Sequence, residues 1–251
     1  MTTGTASTGR GGWEVRCEEV TCRRGRTTAL DAVSVTFRPG VVTGLIGRNG
    51  AGKSTLVQLV AGWRRPGSGR VLVDGAPVWE DSSRTSRVVL AGGVGPELPQ
   101  QPLGHTLDLL EAVRPDFSRE DFHRLAEVLR VPLDRRPKAF STGQAAAFRS
   151  ALALASRAPV TILDEVHLGL DAVMRRRLTG LIVEEYAAHP RTLILASHLL
   201  DEVEDLLEDV VVLHAGRVVA AGPADELRER HSRGHLASLT DVLEDLTEES
   251  L

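Results

Sequence analysis

The 251-residue sequence contains almost no lysine. Lys53 and Lys138 are the only two, so arginine carries nearly all the positive charge and a lysine inside a motif stands out. Cysteine is as scarce, with Cys17 and Cys22 alone. Two thiols without a His/Cys cluster exclude a zinc spacing, and their separation along one expected strand makes no disulfide framework. Buried thiols in a reducing compartment are the expectation. Long apolar runs are absent too: the longest, "ALALASRAPVTIL", is interrupted by Arg157 and falls short of the ~18 to 20 residues of a membrane span. The opening "MTTGTASTGRGG" lacks the apolar centre of a signal peptide and reads as a disordered tail over 1–12. A net charge of -4 provides no bulk attraction to nucleic acid or to an anionic membrane, and no nucleic-acid partner is expected. What is present, 42% hydrophobic and 25% charged residues, suits a soluble globular chain with one large domain or a core with a small lobe.

Short β-rich runs alternate with helical patterns. "VSVTF" (33–37), "VVTGLIG" (41–47) and "GRVLVDG" (69–75) read as strands bounded by Gly or Pro. "KSTLVQLVAG" has helical apolar spacing from Lys53 and is ended by Gly62 and Pro66. The stretch from about 104 to 157 reads as mostly helical, with a capped start at Ser118. Strand and helix then alternate again through "VTILDE", a helix over Asp171–Ala188, "RTLILASH", a helix from Leu200, and "VVVLHAGRVVAAG". Buried strands between helices indicate a parallel α/β sheet with a helical insertion. The polar, acidic C-terminus reads as a loosely docked helix.

"GLIGRNGAGKSTL" matches G-x-x-x-x-G-K-[ST] through Gly47, Gly52, Lys53 and Ser54, between an apolar strand and a helix. In such a loop the backbone N–H groups of Gly47, Arg48, Asn49, Gly50, Ala51, Gly52, Lys53, Ser54 and Thr55 cradle phosphate oxygens, helped by the positive helix end. Lys53 charges the β/γ-phosphates and the Ser54 hydroxyl can ligate Mg²⁺. "APVTILDEV" supplies the second carboxylate this chemistry needs, at the end of an apolar strand. Asp164 would hold the Mg²⁺ shell and Glu165 would orient and deprotonate the attacking water. "LILASH" ends another apolar strand in Ser197–His198, and His198 is placed to meet a γ-phosphate or that water.

Together with "FSTGQ" (140–144), these pieces resemble the ATP-binding subunit of ABC transporters. Ser141, Thr142, Gly143 and Gln144 fit the family's S-x-G-Q signature at a helix start shortly before the DE strand, with Phe140 in the first apolar position. "GLDA" (169–172) looks like the D-loop, with Asp171 among the residues near nucleotide, and Ser197–His198 like the switch-histidine segment. The resemblance covers about residues 13 to 231 and is closest to short bacterial export-type ATPases, including actinobacterial ones. It implies a P-loop NTPase with a RecA-like core, an N-terminal antiparallel β portion and an inserted helical subdomain over about 94–157, with an acidic extension over 232–251. It also implies ATP and Mg²⁺ as ligands, Lys53, Glu165 and His198 as the catalytic set, and a second ATPase subunit closing head to tail. Ser141 and Gly143 of one subunit would then face the γ-phosphate on the other's P-loop. A separately encoded membrane permease would hold the chain at the cytoplasmic face of the cell membrane. The helical subdomain, with "RPDFSREDFHRL" in it, would be the docking surface. The rival readings are a soluble ABC-type ATPase acting on nucleic acid or ribosomes, and a hydrolysis-poor nucleotide sensor.

The sequence departs from the family at three places. Arg24 stands where an aromatic often stacks on adenine. Gly93 stands where a glutamine touches Mg²⁺, with Glu97, Gln100 and Gln101 just downstream. Val166 and His167 replace the usual Pro-Thr after the DE pair. The catalytic set itself is complete.

Overall fold

The computed structural model describes residues 11–92, 100–197, 203–232 and 234–248. The first two strands, β1 (Val15–Arg24) and β2 (Thr27–Phe37), form an antiparallel hairpin. Their alternation sends Val15, Cys17, Leu30, Val33 and Phe37 into the core, as a sheet with one dry face requires. With β4 (Ser68–Val73) and β5 (Ala76–Pro77) they make a four-stranded sheet in the order β2-β1-β4-β5. Both cysteines are free on β1 with 2% exposure or less, and burial pushes the Cys17 thiol up to about 12. The expectation of buried, unpaired thiols holds.

The second sheet has the order β10-β9-β3-β8-β7-β6. It contains β3 (Val42–Ile46), β6 (Val88–Gly92), β7 (Val160–Asp164), β8 (Thr192–Ala196), β9 (Asp209–His214) and β10 (Arg217–Pro223). All neighbours pair in parallel except the β9–β10 hairpin at one edge. Strands β3, β7 and β8 are buried at every residue, which explains their unbroken apolar runs. Helix α1 (Lys53–Val60) lies between the two sheets, where Leu56, Val57, Leu59 and Val60 join one core with residues of both.

The helical subdomain lies beyond β6 and the short α2 (Ser82–Thr85). It comprises α3 (Leu103–Val113), α4 (Arg119–Val128) and α5 (Thr142–Ala155). Phe122, Leu125, Phe148 and Leu154 pack it onto the sheet and onto α6 (Ala172–Ala188). Ser118 caps α4 through the Asp121 N–H, as its position predicted. A charge network ties the subdomain to α6: Arg124 pairs with buried Glu185, Arg157 with Asp121 at 2.5 Å, and buried Arg191 lies 3.9 Å from Glu185. Glu185→Ala leaves Arg191 buried without its carboxylate and is expected to cost about 3 kcal/mol. That loss would be read as a lower urea midpoint at unchanged slope.

Two expectations need correction. Residues 200–202 lie outside the described residues, and just beyond them the chain forms a short 3₁₀ turn, Glu204–Leu206, rather than a continuing helix. The C-terminal part is not loosely docked. After α7 (Ala224–Arg230), helix α8 (Leu239–Glu248) inserts fully buried Leu239 and Val242 into the main core, and the Leu239 N–H donates to Glu204 at 3.2 Å. The segment 1–10 of the expected tail lies outside the described residues.

Candidate functional site

Parallel strands end on the same side of a sheet, so the residues at their C-terminal ends meet along one edge. In register, Leu45 faces Ala196, Ala196 faces Asp164, and Asp164 faces Gly92. The phosphate-type loop leaves β3 here, the acidic pair leaves β7, and Ser197 leaves β8. Four sequence segments far apart in the chain converge on this edge.

The loop from Gly47 to Gly52 leads directly into α1. Gly52 caps the helix at φ 111°, and a Cβ there would stand 2.6 Å from the Ala29 carbonyl oxygen, so glycine is required twice over. Arg48, Asn49 and Gly50 are exposed at the tip, whereas Gly47, Ala51, Lys53 and Thr55 are buried. The Lys53 ammonium curls under the loop and donates to the Gly47 carbonyl at 2.6 Å and more weakly to that of Arg48 at 3.4 Å. Burial holds its pKa below the ordinary lysine range, against the Glu165 and Asp164 carboxylates, which pull upward.

Asp164 is buried at the end of β7, and its carboxyl is raised above the usual range, chiefly by burial, while a Ser54 hydrogen bond opposes this. Its Oδ1 has no hydrogen-bond partner among the described residues. A buried, unpartnered carboxylate oxygen beside a serine hydroxyl suits a hard divalent cation, which takes oxygen ligands. The next residue, Glu165, adopts φ +51° and its N–H donates to the Ala196 carbonyl at 2.8 Å. A left-handed non-glycine conformation is strained and persists where the surroundings impose it, often at a working site. Ser54, Asp164 and Glu165, with Gly92, Thr142, Ala146 and Arg149, line one cavity of about 220 Å³.

The "FSTGQ" segment opens α5. Ser141 caps it by accepting from the Gln144 N–H at 3.2 Å, and the Gln144 side-chain oxygen accepts in return from the Ser141 N–H at 2.9 Å, a complete capping box. Gly143 lies in the first turn of the helix. Its lack of a side chain is required by packing, because a Cβ would stand 2.3 Å from the Gly169 carbonyl oxygen. Signature and D-loop are therefore packed backbone to backbone. Asp171 caps α6, accepting from the Met174 N–H at 2.8 Å. Ser141 is exposed and, like Gln144, does not line the cavity around its own Asp164.

Of the remaining expected site residues, His198, Gly93 and Glu97 lie outside the described residues. Gln100 is exposed in a turn and is not among the residues lining the cavity. Arg24 is exposed at the tip of the β1–β2 hairpin. Half-buried His167 lines a small cavity with Arg175, Leu178 and Ser197 and is not among the residues lining the acidic pair's cavity, which shares only Val166 with it. Arg149 was not singled out by sequence reasoning. The available signal was that it is the one charged residue in the fourteen of α5.

A model of the family described as "ABC transporter" matches residues 30–167. The chain belongs to the ABC transporter family. It is 36% identical over 215 residues to the energy-coupling factor transporter ATP-binding protein EcfA2 of Symbiobacterium thermophilum, covering 81% of this chain and 74% of that protein. It is 35% identical over 216 residues to an ABC transporter ATP-binding protein of Streptomyces avermitilis, covering 84% of this chain but only 38% of the relative's length. A solved structure of an ATP binding subunit of an ABC transporter superposes with a TM-score of 0.78 at 27% identity, over 92% of this chain and 98% of that one. The α/β ABC ATPase fold is thus established, and members of this family are ATP-binding proteins and generally ATP hydrolases.

In this ABC domain several charges of the expected docking segment have partners within the chain. Within "RPDFSREDFHRL", Arg114 donates to the Val88 carbonyl at 2.7 Å, Asp116 pairs with Arg87, Arg119 pairs with Asp108 and Glu111, and Phe122 is fully buried. Arg114, Asp116 and Arg119 are thus paired inside the chain, while Glu120 is exposed. An open apolar surface of the helical subdomain lies between α3, α5 and β6, a groove of about 150 Å³ lined by Trp63, Leu109, Leu110, Phe148 and Leu152 together with Arg114. Trp63 and Leu109 remain 38% and 46% exposed, which is unusual for large apolar side chains grouped on one surface.

Proposed function

We propose that the chain binds and hydrolyses ATP at a site completed by a second ATPase subunit, and that the cycle drives a separately encoded membrane permease from the cytoplasmic face of the cell membrane. The observation that carries this reading is the cavity where Ser54, Asp164 and Glu165 meet, with the Lys53 ammonium buried under the adjoining loop. The loop N–H groups from Gly47 to Thr55 hold the β- and γ-phosphates, and Lys53 offsets their charge. Ser54 and Asp164 would hold Mg²⁺, which when bound supplies further positive charge to those phosphate oxygens. Glu165 accepts a proton from water as its oxygen attacks the γ-phosphorus. The bond to the bridging oxygen breaks, releasing ADP and phosphate. His198 acts on the same water or γ-phosphate.

Ser141, Gly143, Gln144 and Asp171 of one subunit complete the site around the other's P-loop. The exposed, capped start of α5 supports this arrangement, since a helix N-terminus favours an anion. ATP then binds the closed pair more tightly than the open one, which is how a ligand drives motion. A full motif set in one chain permits a homodimer with two working sites. Among the described residues no helix is long and apolar enough to cross a membrane, so the reading assigns the span to the permease and its docking to the Trp63–Leu109 groove.

Chelation tests the metal. ATP turnover by the purified chain is expected to stop with excess EDTA and to resume when Mg²⁺ is restored. Turnover indifferent to EDTA would count against Ser54 and Asp164 as ligands.

A further inference from the structure

The site cavity and the apolar groove share two lining residues, Gly92 and Arg149. Gly92 cannot carry a side chain there. It ends β6 at φ +127°, and a Cβ would stand 1.9 Å from the carbonyl oxygen of Asp164, with which it is in register. Among the described residues, Arg149 is therefore the one side chain that lines both spaces.

Its position comes from helical geometry. Thr142, Ala146 and Arg149 recur at i, i+4 and i+7 and line the carboxylate cavity. Arg149, Leu152, Ala153 and Ser156 recur at i, i+3, i+4 and i+7 and line the groove. One stripe of α5 thus faces nucleotide chemistry at its first half and an open apolar surface at its second, and Arg149 is where the two halves join. It is also the sole charge of α5 and, among the described residues, the only cation lining the site cavity with Asp164 and Glu165. A guanidinium offers five donors in a rigid fork and stays charged, so it suits carboxylate or phosphate on one side while its stem packs apolar surface on the other.

We propose that Arg149 is a positioning residue that couples occupancy of the groove to the state of the nucleotide site. The inference rests on the ATPase reading above. Bound phosphate charge in the cavity draws the guanidinium toward Asp164 and Glu165, and its stem changes the wall of the groove. A helix seated in the groove acts on the same side chain from the other side. Such coupling is reciprocal, so nucleotide must alter the groove as much as a groove ligand alters nucleotide affinity.

The test reads the groove while ATP binds. Leu109→Cys places a thiol on the groove's exposed lining, and Cys17 and Cys22 are too buried to compete for label. An environment-sensitive maleimide dye is attached at 109, and its emission is tracked on adding MgATP, with ATP affinity measured separately by calorimetry. With Arg149 present a clear emission change is expected. With Arg149→Ala the change should fall at least about fivefold when parent and variant are compared at MgATP concentrations that calorimetry shows to saturate each. Arg149→Lys should recover part of the signal. An undiminished signal in Arg149→Ala would overturn the inference, as would a silent dye on a parent chain that binds ATP. A parent that fails to bind ATP at all would remove the nucleotide reading itself, and the coupling with it.

Discussion

Glu165→Gln is expected to leave ATP binding intact and lower turnover about a thousandfold. The substitution keeps the size and polarity of the side chain and removes its ability to accept a proton. It should not disturb the fold, because the structure demands a backbone conformation at 165, φ +51° with the N–H on the Ala196 carbonyl. With hydrolysis stopped, ATP remains in place and the closed pair accumulates, visible as an ATP-dependent shift from monomer to dimer on size-exclusion chromatography. Parent-like turnover would remove Glu165 from the water-activating role.

Lys53→Ala is expected to abolish turnover as well, but by a different route. Lys53 is one of only two lysines, and its ammonium is held at the Gly47 carbonyl beneath the loop. Deleting it removes the charge that faces the phosphates and the tether that shapes the loop. Losing one such preorganised donor costs about a hundredfold to a thousandfold in rate, and here binding should weaken too. Alanine is a good helix former, so α1 should persist, which circular dichroism checks. The two variants are thus separable: Glu165→Gln binds ATP without turning it over, and Lys53→Ala does neither well.

How much of this is legible in the sequence differs by element. The P-loop and the acidic pair can be read because the chemistry requires fixed residue types at spacings set by a strand-to-helix turn. Strands β3, β7 and β8 can be read because both faces are covered, which leaves unbroken apolar runs. The cause of Gly143 cannot, because it depends on the carbonyl of Gly169 across a packed interface. The charges of 114–119 resemble a docking surface in sequence, yet their partners lie on β6, α3 and Arg87. The docking of α8 is hidden by acidic composition, although Leu239, Val242, Leu243 and Leu246 carry the helical spacing. The place of Arg149 between two cavities requires the structure, since neither the groove nor its junction with the site has a local sequence signature.

The central claim is that each ATP site is built from two chains, and complementation tests it most directly. Chains carrying Lys53→Ala and chains carrying Ser141→Ala are each impaired alone and are then mixed. In a head-to-tail pair of the two, one site receives both defects and the other receives the intact Lys53 of one chain and the intact Ser141 of its partner. Equal mixing should therefore restore roughly a quarter of parental turnover, since about half of the pairs are mixed and each has one of two sites whole. If Ser141 instead serves the P-loop of its own chain, every site in the mixed pair carries one defect, and turnover would stay at the level of the separate variants.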